Sequence, residues 1–139
     1  MNLTYRFTND GVSWDDLEAL FKKAQLGGRA GDKIRRAFVK SAVVCFAYDA
    51  SRLVGASRAI TDGEYHAVIY DVVVHPDWQR HGIGTQMISE LLQRLPVWRI
   101  LLVADGDVKD FYRRFGFDDY TDVMARFEPD RLYDDPARG

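Results

Sequence analysis

Apolar residues in the middle of the chain follow two different periods. Residues 69–74 form a short run rich in β-branched side chains, which favours a buried strand. Further along, apolar residues recur at helical spacing, at positions Ile83, Met87, Ile88, Leu91, Leu92 and Leu95. Between the two lies a loop that contains His75-Pro76 and Gly82. The pattern predicts a strand, a loop and an amphipathic helix in direct succession.

The same reasoning predicts two helices in the N-terminal part of the chain. Ser13 is a suitable N-cap for a helix up to Gln25, and Asp32 for a second one up to Lys40. Apolar residues fall on one face of each helix: Trp14, Leu17, Phe21 and Ala24 in the first, Ile34, Ala37 and Phe38 in the second.

Strands are predicted on both sides of the central motif. A first strand covers residues 3–8, and residues 42–49 and 52–60 form a hairpin around Ala50-Ser51. A turn at Asp62-Gly63 leads into a long strand, residues 65–74, and residues 99–104 form its parallel partner across a crossover helix. A short helix over residues 108–115 and one or two closing strands within 117–127 follow. The predicted fold is α+β, with a mostly antiparallel sheet.

Length and composition limit the domain organisation, the partners and the location of the protein. We expect one domain over residues 1–127 and an acidic tail over residues 128–139, which is either disordered or docked on a second subunit of a homodimer. The net charge of −2, with a pI near 5.9, supplies no basic face for nucleic acid or an anionic membrane. No apolar run is long enough to span a membrane. A single cysteine, Cys45, and a start without signal-peptide features favour a reducing, cytoplasmic location.

Glycines at the predicted helix start indicate an anion site. The first amides of a helix lack intrahelical partners and lie at the positive end of its dipole, so Gly82 and Gly84 would let a pyrophosphate approach bare backbone. A Walker loop is excluded, since Thr85-Gln86 follow where Lys-Ser/Thr is required. A dinucleotide-binding loop would need a third glycine near Met87.

The loop Gln79-Arg80-His81-Gly82-Ile83-Gly84 resembles the acetyl-CoA loop of the GNAT superfamily of N-acetyltransferases. Pro76 precedes it as in that family, and residues 111–117, FYRRFGF, are similar to the family's C-terminal signature. The resemblance implies a mixed, mostly antiparallel sheet whose parallel pair splays apart, flanked by about four helices. It also implies acetyl-CoA as cosubstrate and an amine as acceptor.

The resemblance assigns functional residues. The strand edge for pantetheine is formed by Val72, Val73 and Val74. The cosubstrate loop, with pyrophosphate on its amides, consists of Gln79, Arg80, His81, Gly82, Ile83, Gly84 and Thr85. Tyr112 of the signature is the expected general acid, because a phenol with a pKa of about 10 can protonate a departing thiolate whose pKa is about 8.5. Gly116 is expected to end the preceding helix.

A general base is not evident. Several family members carry Glu or His at the strand positions occupied here by Val68 and Tyr70. Substitutes near this strand are Glu64, His66 and Asp71, although simple alternation points Asp71 away from the face of Tyr70 unless a bulge intervenes. The histidines, His66, His75 and His81, show no metal-ligand spacing with one another or with Cys45, so no metal is expected.

Two functions from different classes remain. The first is an acetyl-CoA-dependent N-acetyltransferase that acts on a primary amine of a small molecule or a peptide. The second is a CoA-binding module that has little turnover and acts through binding. Aromatic residues on segments expected to border the site are Trp14, Phe21, Tyr65 and Tyr70; the first two are as well explained by the core. If Tyr65 or Tyr70 lines the pocket, amines with an apolar body are expected to be preferred over polyamines.

Overall fold

The computed structural model describes residues 1–26 and 29–128. Five strands and four helices follow one another along the chain: β1 (Leu3–Arg6), α1 (Trp14–Lys23), α2 (Gly31–Lys40), β2 (Val43–Asp49), β3 (Arg52–Thr61), β4 (His66–Val74), α3 (Ile83–Gln93), β5 (Arg99–Leu102) and α4 (Gly106–Arg113). A single 3₁₀ turn, Pro76–Trp78, lies between β4 and α3. The predicted strand, loop and helix in the middle of the chain are confirmed.

The strands form one sheet in the order β1-β2-β3-β4-β5. All neighbours are antiparallel except β4 and β5, which are parallel and joined by α3. This confirms the predicted α+β class and the parallel pair across the central helix.

Each face of the sheet carries its own apolar core. On one face α3 contributes Ile83, Met87, Ile88 and Leu91, all at most 1% exposed. On the other face α1 and α2 contribute Leu17, Phe21, Ile34 and Phe38. Alternating residues of β2 supply both cores, with Cys45 and Ala47 on the α3 side and Val44 and Phe46 on the α1–α2 side.

The first two helices begin differently. Ser13 caps α1 as predicted, because its side-chain oxygen accepts a hydrogen bond from the Asp16 amide at 3.2 Å. Asp32 does not cap α2: the helix begins at Gly31, and the Ile34 amide already donates to the carbonyl of Ala30. Asp32 therefore lies in the first turn, where a carboxylate still favours the positive end of the helix dipole.

A β-bulge interrupts β4. On β3, Ala56 and Arg58 are two residues apart, yet their partners Val73 and Tyr70 are three apart, so β4 carries one extra residue at this point. Asp71 accommodates it with a φ of 57°, in the left-handed region. The bulge reverses the alternation of the strand.

The reversal decides which side chains face each core. Before the bulge, Ala67 and Ile69 lie in the α3-side core; after it, Val72 and Val74 pack there instead, and Val73 lies in the α1–α2 core. Without the extra residue, Val73 would share the face of Ile69. Asp71 and Tyr70 consequently lie on the same side of the sheet, which the alternation of the sequence does not predict.

The parallel pair separates at the bulge. The pairing of β4 with β5 extends from His66–Arg99 to Ile69–Leu102 and stops there, although β4 continues to Val74. The part of β4 that contains the bulge and the three valines is thus paired with β3 alone. The predicted splay of the parallel pair is confirmed.

The closing strands predicted within residues 117–127 are wrong. In the described part of the chain no strand follows Leu102, and residues 118–128 are exposed without helix or strand. A strand-like sequence forms a strand only when a neighbouring backbone pairs with it, and here none does. The predicted acidic tail lies outside the described residues, apart from Glu128.

Candidate active site

The loop between β4 and α3 is fixed by local hydrogen bonds. The amide of His75 donates to the Val54 carbonyl, and its imidazole Nδ1 accepts from the Asp77 amide at 3.1 Å, which caps the 3₁₀ turn. Gln79 turns back and donates from Nε2 to the Val74 carbonyl at 3.3 Å. The end of β4 is therefore tied to the start of the loop.

Two residues of this loop have backbone conformations in the left-handed region of φ/ψ space, directly before α3. Gly82 precedes the helix with a φ of 78°, and Arg80 has a φ of 67°. Glycine adopts this conformation freely, whereas a residue with a side chain is strained there by about 1–2 kcal/mol. Backbone strain of this kind is concentrated at functional sites, which supports a binding role for the loop.

The first turn of α3 has the properties of an anion site. Ile83, Gly84 and Thr85 are its first residues, so their amides have no carbonyl one turn earlier, and no acidic residue lies in this turn. Arg80, His81 and Gly82 are exposed beside it, whereas the side chain of Ile83 is buried. Ile83 can therefore contribute only its backbone to a ligand.

Gly84 lies where three elements meet. A Cβ at this position would be 3.5 Å from the ring of Phe111 on α4 and 3.9 Å from Val74 at the end of β4. Both are ordinary contact distances, so the space beside Gly84 is bordered by packed side chains. A Cβ would therefore fit here at contact distance, so packing alone does not require a glycine at this position.

Tyr112 lies on α4 in the same core as Val72 and Val74 of the splayed strand. Its side chain is buried, and its ring makes edge contacts with Phe111 and Phe117 at centroid distances of 5.0 and 6.0 Å. No described residue forms a hydrogen bond with its hydroxyl. Burial raises the pKa of Tyr112 above its usual value of 10. The phenol is thus held in its protonated form, as a proton donor requires.

Gly116 ends the α4 region as expected. It has a φ of 90°, and its amide donates to the Arg113 carbonyl at 3.0 Å.

Arg114 is a candidate site residue that the sequence did not reveal. Its guanidinium donates to the Thr85 hydroxyl at 3.1 Å and lies 5.0 Å from the centroid of the Phe111 ring. A cation is therefore held beside the first turn of α3, where a phosphate would lie. Arg113, its neighbour, points elsewhere and pairs with Asp110 and Asp119. The two arginines are neighbours in the chain, so which of them faces α3 depends on how α4 is oriented, and the sequence alone does not give that orientation.

The bulge carries a network of charges on the α1–α2 side. Asp71 accepts from Arg58 Nε at 2.7 Å with one oxygen and from Arg29 at 2.8 Å with the other. The Arg58 guanidinium also donates to the Ser41 hydroxyl and lies 5.1 Å from the Tyr70 ring centroid. Because both Asp71 oxygens are engaged by arginines, Asp71 is poorly placed to accept a proton from a substrate.

The other base candidates lie elsewhere. Glu64 and His66 are exposed at the opposite end of β4, where Asp62 accepts from the amides of residues 64–66. His66 is five residues before Asp71, roughly 16 Å of strand. Val68 and Tyr70 carry no group that acts as a base near neutral pH.

The four aromatic candidates are separated in space. Phe21 is buried in the α1–α2 core, and Trp14 packs against it. Tyr65 lies beside His66 in the turn before β4, far from the bulge. Of the four, Tyr70 alone lies next to the bulge, and 39% of this residue is exposed.

Two kinds of feature are absent from the described residues. Within residues 1–26 and 29–128, no group of three potential ligands is arranged to hold a metal ion. Among the helices of the same ranges, none combines the length and apolarity that crossing a membrane requires.

A family model described as an acetyltransferase (GNAT) domain matches residues 40–119. This is more than half of the chain and contains β4, the loop, α3 and α4. The chain belongs to the GNAT acetyltransferase family. Its members are acyltransferases, and the family's cosubstrate is acetyl-CoA.

Relatives of this GNAT domain carry several names. An uncharacterized N-acetyltransferase from Pyropia yezoensis is 35% identical over 120 residues, which cover 81% of this chain and 69% of that protein. A histone acetyltransferase from Glycine max is 32% identical, covering 74% and 51%. A chloroplastic serotonin N-acetyltransferase from Oryza sativa is 34% identical, covering 81% and 60%. The chain thus spans between half and about two thirds of these proteins.

Solved structures share the fold. A GNAT family acetyltransferase from Streptococcus pneumoniae superposes with a TM-score of 0.78 at 26% identity, covering 92% of this chain and 99% of that one. An acetyltransferase from Deinococcus radiodurans gives 0.79 at 24% identity, covering 90% and 88%. The five-stranded sheet and four helices of this GNAT domain are therefore those of the family.

Proposed function

We propose that this GNAT domain is an N-acetyltransferase that moves the acetyl group of acetyl-CoA to a primary amine of a small molecule or peptide by direct attack. The observation that carries the proposal is the continuity of three features: the part of β4 that lacks β5 as a partner, the strained loop, and the first turn of α3 without acidic residues. Together they place a strand edge next to an anion site. Acetyl-CoA requires this arrangement, because its pantetheine arm contains amides and is followed by a pyrophosphate.

The loop residues would hold the phosphates. Backbone amides from Arg80 to Thr85 supply the donors, and the guanidinium of Arg114 adds a positive charge beside them. Gln79 acts indirectly in this proposal, because its side chain fastens the loop to β4. The side chains of Arg80 and His81 are exposed at the same end.

The splayed strand would hold the pantetheine arm. Pantetheine contains two amides, and the backbone of Val72, Val73 and Val74 can pair with them as another strand would. A backbone amide of this edge can also donate to the thioester carbonyl as negative charge develops there. The bound cosubstrate supplies an acetyl group activated as a thioester.

Tyr112 would act as the general acid. As the amine nitrogen bonds to the acetyl carbon and the carbon–sulfur bond breaks, the sulfur leaves with an electron pair and takes a proton. Tyr112 shares a core with Val72 and Val74, and its pKa is raised by burial, so it carries that proton throughout the neutral range. Its phenolate then recovers a proton from solvent.

The acceptor amine must lose a proton as well. With Asp71 engaged by two arginines and the other candidates distant, we propose that the proton leaves through water and backbone carbonyls. An alkylammonium with a pKa near 10.4 is about one part in a thousand neutral at pH 7.4, so the enzyme would bind this form or release the proton outward.

The charge beside the bulge restricts the acceptor. The Arg58 guanidinium lies 5.1 Å from the Tyr70 ring centroid, and a guanidinium in this position disfavours the approach of a polycation. The exposed part of the Tyr70 ring offers an apolar contact instead. We therefore propose a monoamine with an apolar or aromatic body as the preferred acceptor.

A second function is also consistent with this site, because no side chain of the described residues near the bulge is placed to act as a base. In that case the domain binds CoA with little turnover and acts through binding. The buried, protonated Tyr112 favours the enzyme, since a binding module has no need of a proton donor in this position.

Turnover separates the two functions. Release of free CoA would be measured with arylalkylamines, monoalkylamines, spermidine, amino acids, aminoglycosides and peptide N-termini, beside direct titration of CoA by calorimetry. We expect acceptor-dependent thiol release, largest with arylalkylamines. CoA binding without turnover on any amine would establish the binding module, and spermidine as the best acceptor would contradict the proposed specificity.

We also propose a cytoplasmic location. The reduced, buried Cys45 supports a reducing compartment. Relatives from Oryza sativa and Arabidopsis thaliana are named chloroplastic, which makes a plastid the alternative for the plant proteins.

A further inference from the structure

A cavity of about 250 Å³ lies between α1 and the start of β3. One wall is a single face of α1, whose residues follow one another at helical spacing: Asp16, Ala19, Leu20 and Lys23. The other wall consists of Arg52, Leu53 and His75. None of these residues belongs to the cosubstrate loop, the bulge or α4, so the cavity is separate from the site described above.

His75 carries its ring proton on the nitrogen that is next to Arg52. The residue is 6% exposed, and its Nδ1 accepts a hydrogen bond from the Asp77 amide at 3.1 Å. A ring nitrogen that accepts a hydrogen bond has no proton, so the proton of the neutral imidazole is on Nε2. Nε2 is therefore a hydrogen-bond donor, and the backbone of the following turn fixes its position.

Arg52 presents a second donor to the same space. Its Nη2 atom lies 3.5 Å from Nε2 of His75, and neither group can accept a hydrogen bond from the other. An acceptor that contacts both N–H groups would satisfy both of them. A carboxylate is well suited to this, because its two oxygens form short, charge-assisted hydrogen bonds.

The Arg52 guanidinium is positioned by an aromatic ring. It lies 4.5 Å from the centroid of the Trp78 ring, whose Nε1 donates to one oxygen of Asp49 at 2.9 Å. The other oxygen of Asp49 accepts from the Asn2 amide. Among the residues that the structure describes, no carboxylate forms an ion pair with Arg52.

Lys23 adds a second cation to the cavity. Its neighbour Lys22 pairs with Glu18 on the helix surface, whereas Lys23 forms no ion pair with any residue in the described ranges. The carboxylate of the lining, Asp16, is seven positions earlier on α1, or about 10 Å along the helix. The walls therefore carry two positive charges and one negative charge.

The charge and the apolar residues of the walls select the ligand. An excess of one positive charge favours a ligand with a single negative charge over a dianion such as phosphate. Leu20 and Leu53, with Ala19 beside them, offer apolar contacts to a hydrocarbon body.

We propose that this cavity binds a small monocarboxylate with an apolar body. Its carboxylate accepts from Nε2 of His75 and from the guanidinium of Arg52, and Lys23 contributes further positive charge. This inference does not depend on the proposed function.

Calorimetric titration of the full chain with sodium benzoate tests the site, and benzamide is the matched neutral ligand. We expect benzoate to bind with a millimolar Kd, the scale for a ligand of about nine non-hydrogen atoms. Benzamide should bind at least tenfold more weakly, because it lacks the charge. Nitrogen-15 NMR locates the ligand, since the Nε2–H signal of His75 should shift during the benzoate titration.

Two cation variants test the proposed contacts. Arg52→Gln should weaken benzoate binding at least tenfold, and Lys23→Gln should weaken it a few-fold. Arg35→Gln and Lys22→Gln are the matched controls, since both residues are exposed cations that do not line the cavity. Neither control should change the affinity for benzoate.

Ala19→Phe tests the cavity without changing its charge. Ala19 is exposed on α1, so the larger side chain should occupy the cavity and abolish benzoate binding while the fold is kept. Circular dichroism of the variant checks that it is folded. Undiminished benzoate binding in folded Ala19→Phe would contradict the proposal.

Other results would also overturn it. Absence of benzoate binding, or equal affinities of Arg52→Gln and the unmodified chain, would show that the donors do not hold a carboxylate. Tighter binding of inorganic phosphate than of benzoate would exclude a monocarboxylate as the preferred ligand. Loss of benzoate binding in Arg114→Gln but not in Arg52→Gln would place the anion at the first turn of α3.

Discussion

Arg58 and Asp71 are joined across the bulge of β4, with the guanidinium Nε 2.7 Å from a carboxylate oxygen. Both side chains are largely buried, 14% and 7% exposed, and Arg29 occupies the second oxygen. Asp71 has the left-handed φ of 57° at this bulge, and its contact with Arg29 joins it to the segment before α2. Asp71 thus binds two cations and has a structural role, although it lies on the strand where other family members carry a base.

Asp71→Asn should destabilise the fold more than it slows the reaction. It removes a carboxylate that both Arg58 and Arg29 contact, and breaking a largely buried ion pair from one side typically costs about 3 kcal/mol. Since Asp71 does not take the acceptor's proton in this scheme, kcat in the folded variant should fall less than tenfold. Chemical denaturation and steady-state kinetics measure the two effects.

Glu90→Gln is the control for Asp71→Asn. Glu90 pairs with Arg94 at the surface of α3, and loss of such a pair costs at most about 1 kcal/mol. A loss of ~10³-fold in kcat by folded Asp71→Asn, together with the acidic limb of the pH profile, would identify Asp71 as the base.

Tyr112→Phe removes one hydroxyl and leaves the ring contacts with Phe111 and Phe117 in place. We expect kcat to fall by roughly 10²-fold, the usual scale for a general acid, with CoA affinity nearly unchanged. Steady-state kinetics and calorimetry give the two quantities. Wild-type turnover in this variant would mean that water or another group protonates the sulfur.

Arg114→Gln should weaken CoA binding about tenfold, or ~1.4 kcal/mol, because it removes the cation beside the first turn of α3. Arg113→Gln is a close control, since it deletes the same charge one residue earlier, where the side chain pairs with Asp110 and Asp119. Calorimetry should show a loss for the first variant only. Equal affinities would remove Arg114 from the site.

Much of the site follows from sequence because its signals are local. The β-branched run, the glycine before α3 and the helical period of the residues from Ile83 onward depend on neighbours along the chain, and the structure places each as predicted. The splay of β4 and β5 is a property of the family and came with the resemblance.

The remainder depends on contacts between distant residues. At the bulge, the Asp71 carboxylate binds Arg58, 13 positions earlier, and Arg29, 42 positions earlier, and no alternation pattern encodes such pairs. The contact of Arg114 with Thr85 spans 29 positions and depends on how α4 docks. The segment after Phe117 has the pattern of a strand, but pattern alone does not supply a pairing partner.

Cys45 should be unreactive in the folded protein. Burial raises the pKa of this thiol from 9 to about 12, so at pH 8 the thiolate fraction is about one in ten thousand. We expect an aromatic disulfide reagent to label Cys45 only when the protein is unfolded by denaturant. Labelling of native protein within minutes would show that the β2 core opens. The prediction also implies that thiol detection of released CoA has no background from the enzyme.

The pH dependence of the reaction should follow the acceptor and not a residue of the enzyme. The pKa of Tyr112 is raised above 10, so the phenol stays protonated and active as an acid between pH 7 and 9. The neutral fraction of an alkylammonium increases about tenfold per pH unit in this range, so kcat/KM should rise throughout it without an alkaline fall.

Replacing the acceptor by an amine of lower pKa should move the rise in kcat/KM to lower pH by the difference between the two pKa values. Glu64→Gln and His66→Gln should leave this profile in place, with losses under tenfold, since both residues lie at the far end of β4. A rise that stays at one pH for amines of different pKa would require a titrating base in the enzyme and would contradict proton release through water.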